Sequence, residues 1–170
     1  MKYLLYAGMI VCIAGCATSG TITGRHFKDS EYRYSLTFPD AFELSNRGVH
    51  SPERVLAVKW RTDLSVSNKP TFAVTVYNGM RSLTDVIVQE GNRHFRPEYY
   101  MNCEIDYEEG TEVNGKDAYV VHYVGGHIEG KTVYVAFETF ILKLEYIAEA
   151  DFYSEAELIG VLESLIHSEE

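Results

Sequence analysis

Proline and cysteine are scarce in this chain, with four and three copies in 170 residues, and tryptophan occurs once. So few cysteines exclude a disulfide-stapled scaffold, and so little proline excludes a collagen-like or polyproline architecture. Positive charge is short as well: 15 Lys and Arg stand against 25 Asp and Glu, a formal net charge of −10. A protein that grips nucleic acid neutralises phosphates with a basic surface, so that class is excluded. No apolar run reaches the roughly 20 residues that a membrane-spanning helix needs. Also missing are a glycine-rich phosphate loop, a Gly-x-Ser-x-Gly elbow, a His-Glu-x-x-His pair and paired cysteines at metal-ligand spacing. Those gaps remove the common hydrolase and zinc-enzyme readings. What is present is ordinary globular material, 46% hydrophobic, 24% charged and 13% aromatic, in a length that suits one domain.

The N-terminus opens on Met1-Lys2, and Tyr3 to Ala14 is then almost wholly apolar, too short to span a bilayer but suited to a signal-peptide core. The segment Ile13-Ala14-Gly15-Cys16 resembles the lipobox of bacterial lipoproteins. The resemblance implies cleavage before Cys16, diacylglycerol on its thiol and acylation of the new N-terminus, enough for stable anchoring. Ala17 stands where inner-membrane retention typically shows Asp, which favours the periplasmic face of the outer membrane in a Gram-negative cell. The expected domain plan is therefore a signal peptide at 1–15, a lipid-anchored flexible tether at 16–29 and one globular domain at 30–170. Cleavage would leave 155 residues at −11, with Cys103 as the one cysteine not discarded or lipidated.

From Glu31 the residues alternate. Tyr32, Tyr34, Leu36 and Phe38 share one face of a half-buried strand that Pro39-Asp40 ends. Further strands are expected at 54–61, with Leu56, Val58 and Trp60 inward, and at 71–77. Ser82-Leu83-Thr84-Asp85 predicts a capped helix whose stripe is Leu83, Val86, Ile87 and Phe95, ending before Pro97, with Gly91 on the same stripe. Asn114-Gly115 between 102–108 and 117–124 signals a hairpin. The stretch 131–148 is too long for one strand and divides near Glu138-Thr139. Ser154-Glu155-Ala156-Glu157 is a second capping box, followed by Leu158, Ile159, Leu162, Leu165 and Ile166 at helical spacing. The pattern predicts an α+β domain, an antiparallel β-sheet of about seven strands with two helices packed on it.

Tyr34-Ser35-Leu36-Thr37-Phe38-Pro39, the late hairpins around Val133-Tyr134-Val135 and Leu144-Glu145-Tyr146, and the closing Asp151-Phe152 ahead of a helix ending Leu162-Glu163-Ser164-Leu165 together resemble the PsbP-like superfamily. That superfamily includes DcrB-type bacterial lipoproteins and the Ran-binding nuclear-import protein of yeast. The resemblance covers most of 31–167 as a pattern of elements, and the usual closing Ser-Phe is Ser164-Leu165 here. It implies a PsbP-like α/β/α sandwich and members that mostly bind partners. No functional residue of the superfamily carries over to a position of this chain.

Four features could carry chemistry. Glu104, Asp106 and Glu108 fall at period two, on one strand face, where they could bind a basic partner or a hard divalent cation. The plainer account is a solvated strand whose charges deter edge pairing. His122, with His127 and Glu129 beside the Gly125-Gly126 turn, has the donor types for zinc or iron, although His122 alternates with apolar residues as a packed histidine would. Cys103 reads as a buried, inert thiol, and Tyr99-Tyr100 as loop packing or a binding patch. Charge is also uneven: residues 16–97 carry 11 basic and 8 acidic groups, whereas 98–170 carry 3 and 17, which suggests an acidic interaction surface.

The function expected from these observations is a non-catalytic cell-envelope lipoprotein, anchored to the membrane through Cys16, that binds a protein partner or supports assembly of an envelope complex. The alternative is a membrane-anchored module binding a small molecule or a divalent metal in a cleft beside the sheet. An enzyme is the weakest reading, since no nucleophile–base pair stands out, and no cofactor is implied.

Overall fold

The computed structural model describes residues 20–46, 53–59, 69–79, 82–90 and 103–168. Cys16, Trp60, Gly91, Phe95, Pro97 and Tyr99-Tyr100 lie outside them, as do the signal peptide and the lipidation expectation. Among the described residues no helix is long and apolar enough to cross a membrane.

The described residues begin with a hairpin, β1 (Gly20–Thr23) and β2 (His26–Asp29), followed by β3 (Tyr34–Thr37), β4 (Phe42–Asn46), β5 (Glu53–Lys59) and β6 (Thr71–Asn78). After α1 (Leu83–Glu90) come four long strands, β7 (Glu104–Val113), β8 (Lys116–Gly125), β9 (Ile128–Ala136) and β10 (Phe140–Glu149). A short 3-10 turn (Ala150–Phe152), α2 (Glu155–Glu163) and β11 (Ile166–His167) close it. A seven-stranded sheet runs β4-β5-β6-β10-β9-β8-β7, and a four-stranded sheet runs β1-β2-β3-β11. Every recorded pairing is antiparallel.

Local signals explain much of this. Asn114 and Gly115 both take positive φ, 50° and 74°, the two left-handed positions a tight hairpin turn needs, and they join β7 to β8. The turn between β9 and β10 falls at Glu138-Thr139, as expected. Ser82 Oγ accepts from Asp85 N at 3.2 Å and Ser154 Oγ from Glu157 N at 3.4 Å, so both capping residues act as read.

One face of the large sheet packs under the small sheet and α2. Phe27, Tyr34 and Leu36 from the small sheet, with Phe38 just past β3, meet Val55, Phe72, Leu144 and Tyr146 from the large one, with Leu158 and Val161 of α2. At the centre Phe72 stacks on Tyr146, centroids 4.2 Å apart. The other face carries a smaller cluster, Val121, Tyr123, Tyr134, Ile141 and Ile147, covered by Val86 of α1. The middle strand β10 is buried at every position from Phe140 to Ala148, because both of its faces are covered. An α+β class with an antiparallel sheet is the architecture.

Several expectations are corrected. Residues 20–29 are not a flexible tether: they form β1 and β2, with Phe27 and Asp29 fully buried. Gly20 is required there, since a Cβ would stand 2.4 Å from the Lys28 carbonyl and 2.8 Å from the Phe27 ring. Small polar composition hid a strand whose few apolar residues face inward. The strand read from Glu31 belongs to the small sheet, and β4, which the sequence pattern did not signal, stands at the edge of the large one. In β5 the inward residues are Val55 and Ala57, both 0% exposed, not Leu56 and Val58. The register decides this, pairing Val55 with Val74 and Ala57 with Phe72 on the packed face. Helix α2 buries Leu158 and Val161, while Ile159 faces out and Ile166 stands exposed in β11.

Candidate functional site

Strand β7 is an outer strand of the large sheet, and no strand among the described residues pairs with its other side. Glu104, Asp106, Glu108, Glu109 and Glu112 along it are all exposed. The three carboxylates expected on one face are nevertheless split. Glu104 pairs with Val124 and Ile105 with Tyr123, but the next recorded partner is Tyr107 with His122, so Asp106 is an extra residue at a β-bulge. A bulge inserts one residue on one strand and shifts the alternation beyond it. Asp106 accordingly reaches His122, whereas Glu108 accepts a hydrogen bond from the Tyr119 hydroxyl on the α1 face. Burial, helped by the Glu108 hydrogen bond and charge, pushes the Tyr119 hydroxyl up to about 12. The edge is thus an acidic ridge open to both faces of the sheet, not a single acidic face.

His122 lies on β8 opposite Lys131 of β9. Its Nδ1 stands 3.0 Å from Asp106 Oδ2 and its Nε2 3.1 Å from Glu129 Oε1. Carboxylates accept only, so both contacts are hydrogen bonds together when the imidazole carries both protons. The structure therefore joins members of two sequence candidates, Asp106 from one and His122 with Glu129 from the other. His127 is not brought to them: it sits in the β8–β9 turn and lines a separate hollow of about 210 Å³ with Glu149 and Asp151. Among the described residues no group of three or more His, Cys, Asp or Glu is placed to hold a metal ion.

The first turn of α2 extends this polar network. Lys131 Nζ donates to Glu155 Oε1 at 2.8 Å, and Tyr153 Oη donates to Glu155 Oε2 at 2.7 Å. Burial pushes the Glu155 carboxyl up, but the Lys131 and Tyr153 hydrogen bonds and the Lys131 charge outweigh it and leave it below the usual range. Glu157 accepts from Lys59 at 2.7 Å and from Tyr146 at 2.8 Å. Two glutamates at a helix N-terminus also suit the positive end of the helix dipole. This network ties α2 to three strands, which is a structural role.

Sequence reasoning missed a buried charged centre on the α1 face. Lys143 Nζ is 3.3 Å from Glu90 Oε2 and 3.2 Å from Glu145 Oε2, and the Tyr77 hydroxyl donates to Glu90 at 2.6 Å. Lys143 and Glu145 are only 6% and 3% exposed. The available signal was opposite charges at period two inside the apolar run Phe140–Glu149. Cys103 packs at the margin of the same cluster, and burial pushes its thiol up, away from the reactive thiolate.

Similarity to solved structures follows from this architecture. The chain is similar to the cyanobacterial PsbP, CyanoP, of Synechocystis sp. PCC 6803, with a TM-score of 0.59 and 13% identity over 92% of this chain and 99% of that one. It is also similar to LpqN, involved in cell envelope biogenesis of Mycobacterium tuberculosis, with a TM-score of 0.58 and 14% identity over 78% of this chain and 81% of that one. No protein-family model matches the chain, and no curated protein matches it significantly in sequence. At these identities the likeness is one of fold, and the chain has a PsbP-like α+β fold.

Proposed function

We propose that this protein is a non-catalytic domain of the cell envelope, held at a membrane by lipid on Cys16, that docks a basic protein partner along the β7 edge. One observation carries the reading: five exposed carboxylates follow the outer edge of a ten-residue strand. Such an edge deters the addition of another strand, repels acidic surfaces and attracts a basic one. LpqN, of similar fold and involved in envelope biogenesis, supports an envelope setting, and the lipobox-like Ile13-Ala14-Gly15-Cys16 supports the anchor. With Ala17 after the lipidated residue, the periplasmic face of the outer membrane is the favoured location in a Gram-negative cell.

Cross-linking the anchored protein in its own envelope, followed by pull-down, tests the reading. Charge reversal at Glu104, Glu108 and Glu109 leaves the His122 network intact and should abolish capture of a basic partner. Retention of every cross-linked protein by that variant would overturn the docking surface. Separately, radioactive palmitate should label the protein and not the Cys16→Ala variant.

A further inference from the structure

We propose that the β4 side of the domain faces the membrane that holds Cys16, so that the acidic β7 edge points away from it. The occupant of that surface is the phospholipid headgroup layer of the protein's own membrane. The inference rests on the lipid anchor proposed for Cys16 and adds the orientation that the fold imposes on it.

Chain length carries the argument. Gly20 is the first residue of β1, four peptide units from Cys16, so the two lie at most about 14 Å apart. A tether running on to residue 30 would instead stretch to about 45 Å or more. The folded end of the short span is held firmly. Gly20 is buried and pairs with Asp29 of β2, and its carbonyl accepts a hydrogen bond from Asn46 Nδ2 of β4. A domain of about 150 residues has a radius of gyration near 15 Å, hence a radius of about 19 Å. The span from lipid to fold is thus shorter than the domain's own radius, and the surface around Gly20 stays at the headgroups.

Topology then places the rest of the domain. The chain leaves for the anchor beside β4, one outer strand of the seven-stranded sheet, and β7 is the other. Six strand spacings separate the two edges, about 28 Å across the sheet. Electrostatics favours the same orientation. The exposed residues of β1, β2 and β4 around Gly20 include Thr21, Lys28, Glu43 and Ser45, with one cation and one anion among them, whereas β7 exposes five carboxylates. A leaflet containing anionic lipid repels β7 when the edge comes within a Debye length, about 8 Å at physiological salt, and leaves the β4 side nearly indifferent. The β7 ridge is thereby held clear of lipid and open to a basic partner.

The full-length protein, purified from membranes and reconstituted into vesicles of phosphatidylethanolamine and phosphatidylglycerol, tests the orientation. Mass spectrometry first reads the acyl chains on Cys16. In a Cys103→Ser background, Thr21→Cys, Ser45→Cys and Glu109→Cys each carry a nitroxide, and a nickel-chelating lipid supplies the relaxing agent at the headgroups. Relaxation at positions 21 and 45 should exceed that at 109 by about fivefold or more, since the two edges lie on opposite sides of the sheet. Inserting about fourteen Gly and Ser residues after Ala17 frees the domain to turn and should at least halve that ratio. Equal relaxation at the three positions of an acylated protein, or a ratio the insertion leaves unchanged, would overturn the orientation while leaving the lipid anchor in place. An absence of acyl chains would overturn the anchor itself, and this inference with it.

Discussion

The two faces of the large sheet are stabilised by different means. On the α2 face Phe38, Phe42 and Tyr146 gather around Phe72 in one aromatic cluster, edge-on, tilted and stacked in turn, with centroids 4.2 to 5.7 Å apart. On the α1 face the apolar cluster is small, and Lys143, Glu145 and Glu90 occupy its middle. Apolar packing gains with every contact, whereas buried charges return their desolvation cost only through good geometry. The α2 face therefore supplies the stability, and the α1 face supplies specificity, since Glu90 positions α1 only where Lys143 and Tyr77 await it. The short α1 buries Val86 alone, and Val88 is 75% exposed.

The comparison is broken most directly by Phe72→Ala, which leaves a cavity under Tyr146 and should cost about 3–5 kcal/mol in denaturant unfolding. A loss below about 1 kcal/mol would mean that the aromatic cluster is not the principal core. Lys143→Met leaves the half-buried Glu90 and the buried Glu145 without that ammonium and should cost about 3 kcal/mol, part of it recovered when Glu90→Gln is added. No recovery would show that Glu90 does not answer to Lys143 in fixing α1.

The smallest effect concerns the surface network of α2. Glu155 has a folded-state value below its ordinary 4.5, so its ionised form stabilises the fold above pH 4.5 and that contribution is lost as pH falls through the lower folded value. With its side chain 46% exposed, solvent screening holds the contribution to about 1 kcal/mol or less. The stability gap between the parent chain and Glu155→Gln should therefore be present at pH 7 and close below pH 4.5. A gap that stays constant down to pH 3 would place the effect in packing and not in charge.

Much of the fold was legible because its signals are local. A two-residue turn at Asn114-Gly115, a cap at Ser154 and a break at Glu138-Thr139 each depend on neighbours within four residues. The β1–β2 hairpin was not legible, because Gly20 and the small residues after it look like linker until Phe27 finds its core. The sidedness of β5 failed for a similar reason: Leu56 and Val58 are larger than Ala57, yet the pairing with Phe72 turns Ala57 inward. The acidic strand was recognised as an exposed strand, but the bulge at Asp106 depends on its partner strand, so no period-two reading could have separated Asp106 from Glu108.

The amino-acid order by itself determined the caps, most turns, the α+β class and the concentration of negative charge after residue 97. The tertiary structure decided which carboxylate faces which side, how Lys143 came to lie between two glutamates, and that the start of β1 and the acidic β7 edge stand at opposite sides of the large sheet. The physical reason is range: propensity and capping act over one or two turns of chain, whereas the separation of positions 20 and 109 is set only after every strand between them has paired.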